Sequence, residues 1–302
     1  MQAAFQFPRL KFRLCSLFGI PLYLDFSLAF LLLMFLGSGR TLLSGLVGAA
    51  FLLLSITLHE LGHALTARAF GYGTHDITLS LLGGCASLIA LPRRAWQELL
   101  TALAGPVVSF LLAAAALTGM CLIAQGHVFD AFVQAFSSGL SYGSAGKNVF
   151  YFAPGAETLL LVVSRDLFPL FDALFDVACM NLMFGAFNLL PGFPMDGGRV
   201  FRSAMRAFMS RPRATFVAMI VGRVVAVLLA GWGGYRIYNG APWGFVTLLI
   251  AWMVWREGRR EYQQTLSESM WDDPFGGYSA RVSPPPYGGK SARTEVRRGT
   301  SQ

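Results

Sequence analysis

His59-Glu60-Leu61-Gly62-His63 sets two histidines four positions apart with a glutamate directly after the first. On a helix, positions four apart share a face. Two neutral imidazoles there can hold Zn²⁺ while Glu60 takes a proton from a water. The surroundings sharpen the reading, because residues 41–58 carry no charge and the next charged residue after His63 is Arg68. A carboxylate and two imidazoles in hydrocarbon are costly unless paired or metal-bound. Zinc hydrolase chemistry is therefore the expectation, against the alternative of a satisfied polar cluster with no metal.

A zinc hydrolase needs a third protein ligand and one position left open for water. Asp196 is the best candidate, at the end of an apolar run within Asn188-Leu189-Leu190-Pro191-Gly192-Phe193-Pro194-Met195-Asp196-Gly197-Gly198. Pro191, Gly192 and Pro194 break a helix and free backbone groups, which calls for a polar cavity. Two helix-borne imidazoles and one distant carboxylate make a His₂Asp site for one Zn²⁺ per chain. Glu98 is the rival third ligand, but it stands one residue ahead of an apolar span and fits a helix N-terminal role better. His75 and Asp76 suit turn or cavity-lining roles, and Arg223, alone in an apolar run, suits an interior pairing. Cys15, Cys85, Cys121 and Cys179 form no C-x-x-C pair, which argues against structural zinc or a disulfide framework.

The elements that must position these residues are set by composition. The chain has 302 residues, 55% hydrophobic and 13% charged, half the charged share usual in soluble domains. The expected fold class is an all-α polytopic membrane protein with about six transmembrane helices and a small membrane-associated β-hairpin or sheet. The candidate spans are residues 26–42, 43–67, 99–124, 177–195, 214–235 and 237–255. Nineteen of the 24 Lys and Arg residues fall on the side of the N-terminus, four (Arg40, Lys147, Arg165, Arg236) on the other, and Arg223 within a span. That asymmetry places both termini in the cytoplasm, with Arg199, Arg202 and Arg206 as topology anchors. It also explains the net charge of +8 without a nucleic-acid partner.

Four regions are expected along the chain. Residues 1–25 form a cytoplasmic N-terminal segment with a strand candidate at 18–25, and the first apolar run reads as an uncleaved anchor. Residues 26–210 form the core, with a hairpin at 71–92 around Gly83-Gly84 that lines the chamber. Within that core, residues 125–170 form an extracytoplasmic loop, too short for a recognition domain, with an interfacial helix at 166–175. Residues 211–256 hold two C-terminal helices, and residues 257–302 a cytoplasmic tail that reads as disordered from about 272.

With these residues in hand the chain resembles the site-2 protease family of intramembrane zinc metalloproteases. The family's H-E-x-x-H matches at His59, Glu60 and His63, and its N-x-x-P-x-x-x-x-D-G matches at Asn188, Pro191, Asp196 and Gly197 without a gap. Further agreement comes from Gly83-Gly84, from Glu98 with Ala104-Gly105-Pro106, and from Asn181. Together these cover roughly residues 18–210. The resemblance implies His59, His63 and Asp196 as zinc ligands and Glu60 as catalytic base, in a compact form without PDZ or CBS domains and with a prokaryotic cytoplasmic membrane as its setting. It implies peptide-bond hydrolysis in or near the bilayer, with a transmembrane protein or signal peptide as substrate, in regulated intramembrane proteolysis. Asn188 would then support the substrate carbonyl or oxyanion or else cap the broken helix. Asn181 would touch substrate or bridge helices, and Gly83-Gly84 would hold an unwound substrate by strand addition. A catalytically idle helix-binding scaffold would lack Glu60, and a zinc transporter would need more relay ligands than four histidines provide. A prenyl-processing protease would want a glutamate third ligand.

Overall fold

Backbone at membrane depth must satisfy its own hydrogen bonds, so helices and protected sheets are what an apolar chain of this kind can build. The computed structural model describes residues 11–26, 28, 42–80, 83–89, 92, 94–137, 141–145, 148–152, 159–241, 244–272, 278–280 and 296–298. Strands β1 (Lys11–Leu17) and β2 (Ile20–Asp25) precede the long helix α1 (Leu42–Ala69), which carries His59, Glu60 and His63. The hairpin β3 (Thr74–Ser80) and β4 (Gly83–Leu88) leads into α2 (Ala95–Ile123). Next come β5 (Ala124–Gly126), α3 (Val128–Ser137), β6 (Ser141–Ala145), β7 (Asn148–Phe152) and β8 (Leu159–Ser164). Helices α4 (Phe168–Asn188), α5 (Asp196–Met205), α6 (Arg211–Tyr238) and α7 (Gly244–Asp272) follow, then β9 (Tyr278–Ala280) and β10 (Val296–Arg298).

Among the described residues four helices are long and apolar enough to cross a membrane: Leu46–Ala69 of α1, and the whole of α2, α4 and α6. Large apolar side chains stand exposed on them, including Val107 and Leu111 on α2 and Val227 and Leu228 on α6, as expected of helices surrounded by lipid. The first expected span, 26–42, falls almost wholly outside the described residues.

The expected strand at 18–25 and hairpin at 71–92 are both present, joined in one sheet of order β1-β2-β3-β4. β2 and β3 pair in parallel, Leu22 with Ile77 and Leu24 with Leu79. That sheet lays Ile20, Leu22, Ile77 and Leu79 against Ile56, Leu61 and Ala64 of α1. Each fully buried Ile or Leu contributes about 1.5–3 kcal/mol, so the sheet is held against the helix that bears the H-E-x-x-H residues. In the order of strands β4 lies at an edge.

Several boundaries differ from expectation. The region expected as an extracytoplasmic loop at 125–170, with a helix only at its end, also contains α3 and an antiparallel sheet of order β5-β8-β7-β6. The separate interfacial helix expected at 166–175 is the first half of α4, which runs unbroken from Phe168 and stops at Asn188, ahead of Pro191 and Gly192. α6 extends through Tyr238, and Gly240 turns the chain with φ +77°. α7 runs past Trp255 to Asp272 as one helix. In the tail β9 pairs antiparallel with β10, and the other residues beyond Asp272 lie outside those described.

Helices cross closely where they carry glycine. A Cβ at Gly62 of α1 would lie 2.9 Å from the Ala104 carbonyl oxygen of α2, and one at Gly185 of α4 would lie 3.1 Å from the Phe110 ring. Small residues permit such approaches in lipid. Gly62→Val should therefore destabilise the protein by about 1–3 kcal/mol through overpacking. Gly234→Ala, in the interior of α6 with open space around the new methyl, should stabilise by about 0.5–1 kcal/mol. Thermal unfolding of both variants in detergent checks the pair.

Candidate metal centre

The i, i+4 spacing on α1 brings the two imidazoles edge to face, ring centroids 4.9 Å apart, with their Nε2 atoms 3.2 Å from each other. Asp196 comes to them from the first turn of α5. Its Oδ2 lies 3.2 Å from His59 Nε2 and 3.1 Å from His63 Nε2. All three residues are buried, as is Glu60. Asp196 can reach because Gly197 follows it: a Cβ there would sit 2.3 Å from the carbonyl oxygens of both Leu189 and Leu190. Only glycine lets α5 start so close under the end of α4.

α2 fixes the histidine rings from behind. His63 Nδ1 donates to the Thr101 carbonyl oxygen at 2.7 Å, and His59 Nδ1 is 2.9 Å from Ser109 Oγ. Between these two, Gly105 makes room: a Cβ at that position would lie 2.2 Å from His63 Nε2 and 2.6 Å from His59 Nε2. The Phe184 ring of α4 closes the far side, 4.6 Å from the His59 ring. Thr101, Gly105 and Ser109 recur at near-helical spacing, so one face of α2 serves as the template for both imidazoles.

That arrangement suits a cation. The Thr101 carbonyl can only accept, so the His63 proton resides on Nδ1 and the neutral ring turns an Nε2 lone pair inward. It meets a carboxylate oxygen and a second imidazole nitrogen, an acceptor in its turn when the His59 proton lies on Nδ1 toward Ser109, at 3.1–3.2 Å inside an apolar bundle. A tetrahedral zinc with bonds of about 2.0–2.1 Å separates its ligand atoms by about 3.3–3.4 Å. The donor set is therefore the right kind, nearly the right size and oriented for such an ion. His59, Glu60 and His63 also bring one ligand atom each within 4.8 Å of one another, so the Glu60 carboxylate stands beside the cluster.

Other residues singled out from the sequence fall as follows. Gly84 lies against Glu60, where a Cβ would be 2.1 Å from the Glu60 Cγ. Gly83 pairs with Ser80 next to it in the β3-β4 ladder. Asn181 is completely buried and its amide donates to Ser55 Oγ at 2.8 Å, an interhelical bond between α4 and α1. The Asn188 amide donates to the Phe184 carbonyl oxygen at 3.1 Å, a bond back into its own helix. His75 is exposed. Lys11 Nζ lies 3.4 Å from Asp76 Oδ2. Burial pushes the Asp76 carboxyl up, yet the Ser87 hydrogen bond and the Lys11 charge outweigh it and hold the group below the usual carboxylate range. Arg223 stacks over the Trp255 ring at 5.0 Å.

The largest correction concerns Arg202, expected as a surface anchor. It has no exposure at all, and its Nε donates to Glu98 Oε1 at 2.8 Å. Glu98 is thereby engaged with Arg202. Thr101, Gly105, Ser109 and Arg202 were not singled out individually as site residues, although polar and small residues at helical spacing in so apolar a helix as α2 were a usable signal.

Gly105→Ala should lower divalent-metal affinity by at least the roughly 10- to 100-fold that loss of supporting contacts costs, since the methyl would occupy the space of both Nε2 atoms. Gly119→Ala on the same helix, whose methyl meets only the tip of Leu174 at 3.1 Å, should leave it unchanged. Metal titration of the two purified variants measures this.

The family model described as peptidase family M50 matches residues 47–231, more than half of the chain. A Synechocystis relative is 30% identical over 264 residues, covering 82% of this chain and 59% of its own length. A zinc metalloprotease of Methanocaldococcus jannaschii is 28% identical over 223 residues, covering 73% of this chain and 53% of its own. The chain thus spans little more than half the length of these relatives. Among solved structures, the site-2 protease from Methanocaldococcus jannaschii shares the fold, with a TM-score of 0.53, 24% identity, and coverage of 83% of this chain and 95% of that one. With a family model over the whole region that carries His59, Glu60, His63 and Asp196, the chain belongs to peptidase family M50, the site-2 protease family that its two motifs resemble.

Proposed function

We propose that the chain is an intramembrane zinc metalloprotease that hydrolyses peptide bonds within or near transmembrane segments of membrane proteins, as in regulated intramembrane proteolysis. The observation that carries this reading is the meeting of two imidazole nitrogens and a carboxylate oxygen beside the buried Glu60 carboxylate in a bundle of apolar helices. His59, His63 and Asp196 would hold one Zn²⁺, as the donor set and the name of the Methanocaldococcus relative suggest. Zinc bound there supplies Lewis acidity, polarising a carbonyl and lowering the pKa of a water.

The chain's own residues do the rest. Glu60 accepts the proton that the water gives up and passes it to the departing amine nitrogen. Thr101 and Ser109 keep both imidazoles turned inward, and Phe184 covers the His59 ring from water. A helical substrate must unwind to offer its carbonyls. β4, an edge strand whose Gly84 touches Glu60, would take the unwound segment by strand addition. The substrate is a transmembrane protein or a signal peptide, and the setting a prokaryotic cytoplasmic membrane, with six spans supported by the uncharged apolar runs of the sequence and both termini cytoplasmic supported by the distribution of Lys and Arg. A scaffold or a transporter would have no use for a carboxylate held beside the three acceptors.

Cleavage of a single-span substrate in proteoliposomes, with zinc measured on the same samples, tests the reading. Glu60→Ala should keep about one zinc per chain and lose at least the 10²–10⁴-fold that general base catalysis supplies. Cleavage as fast as wild type would refute the assignment. Gly84→Ala should likewise keep the metal and lose cleavage, because its methyl displaces the Glu60 side chain. A Gly84→Ala protein with unchanged kcat would remove β4 from the catalytic arrangement.

A further inference from the structure

α5 has an unusual anchoring problem. It delivers Asp196, yet its buried side chains are Asp196, Arg202 and Ser203, with Gly197 and Gly198 between. No large apolar residue on it is fully buried, so hydrophobic packing alone does not fix where this short helix sits. Arg202 is the largest completely buried side chain of those described, and its Nε and Nη2 both fork onto Glu98 Oε1. Glu98 in turn lies in the first turn of α2, one turn before the Thr101 carbonyl that holds His63 and two before Gly105.

Resting on the zinc reading above, we propose that the Glu98–Arg202 pair is a positioning device that sets Asp196 against His59 and His63 and so determines metal affinity. The two ends of the site come from segments more than 130 residues apart, His63 to Asp196 being separated by 133 positions. The histidines are registered on α2 by Thr101 and Ser109. Asp196 is registered on the same helix by Arg202, six residues farther along α5. A charge pair suits this task better than apolar contact, because a planar guanidinium fork accepts a carboxylate in few geometries and slides little. Removing either partner breaks a buried charge pair, which α5 relieves by moving, and Asp196 moves with it.

The test is zinc affinity, measured by chelator competition on the 302-residue protein in detergent, together with thermal unfolding of the metal-free form. Arg202→Met and Glu98→Gln should each weaken zinc about 10- to 100-fold, as loss of outer contacts at metal sites does. Arg202→Lys should recover part of it. In an Asp196→Ala background, Arg202→Met should weaken zinc no further, because the pair acts through that carboxylate. Should Arg202→Met fail to fold, the isosteric Glu98→Gln carries the same expectation in both backgrounds. A lower unfolding temperature with unchanged zinc affinity would overturn the proposal and leave the pair a fold-stabilising contact. An equal loss with and without Asp196 would overturn it too. Wild-type protein that binds zinc no tighter than His59→Ala would instead defeat the metal reading itself.

Discussion

Two imidazole nitrogens and a carboxylate oxygen are held within 3.2 Å of one another, all of them on buried residues. Acceptors so placed repel unless a proton or a metal ion lies between them, and most of the described core can be understood as what keeps them there. α1 supplies both histidines through its i, i+4 spacing, and Thr101 and Ser109 stop the rings from turning away. Gly105, Gly62 and Gly185 remove the side chains that would hold the helices apart. The helix α2 is thus the common reference: it touches both histidines, receives α4 at Gly185, and pairs with Arg202 through Glu98.

The small sheet follows from the same constraint. Its apolar face lies on α1 opposite Leu61 and Ala64, which commits β4 to run beside Glu60. A strand inside or near a bilayer leaves an unpaired edge, usually a liability. Here that edge passes next to the Glu60 carboxylate, which is where an unwound peptide would require partners for its backbone.

How far the sequence disclosed this depended on whether the signal was local. His59, Glu60 and His63 were legible because spacing on one helix decides who faces whom. Asp196 was legible because Pro191 and Gly192 end the helix before it and a lone carboxylate closes an apolar run. The strands at Ile20–Asp25 and Thr74–Leu88 showed through Gly and β-prone residues, although their parallel pairing depends on contacts across the long α1. Arg202 was not legible, since in a cluster with Arg199 and Arg206 it reads as surface charge and only tertiary packing shows it buried beside Glu98. β5 and β6 were hidden by short length and Gly or Ser, and β7 and β8, though β-prone, by being only 5 and 6 residues long. The full extent of α4 was masked by Asp172 and Asp176, which lower hydropathy without interrupting a helix.

X-ray absorption at the zinc edge on the purified wild-type protein addresses the central claim most directly, because it reads the ligand set itself. The account predicts one zinc per chain with nitrogen and oxygen neighbours only at about 2.0–2.1 Å, and outer-shell scattering from two imidazoles. A thiolate sulfur in the shell at about 2.3 Å, or a single imidazole, would contradict it.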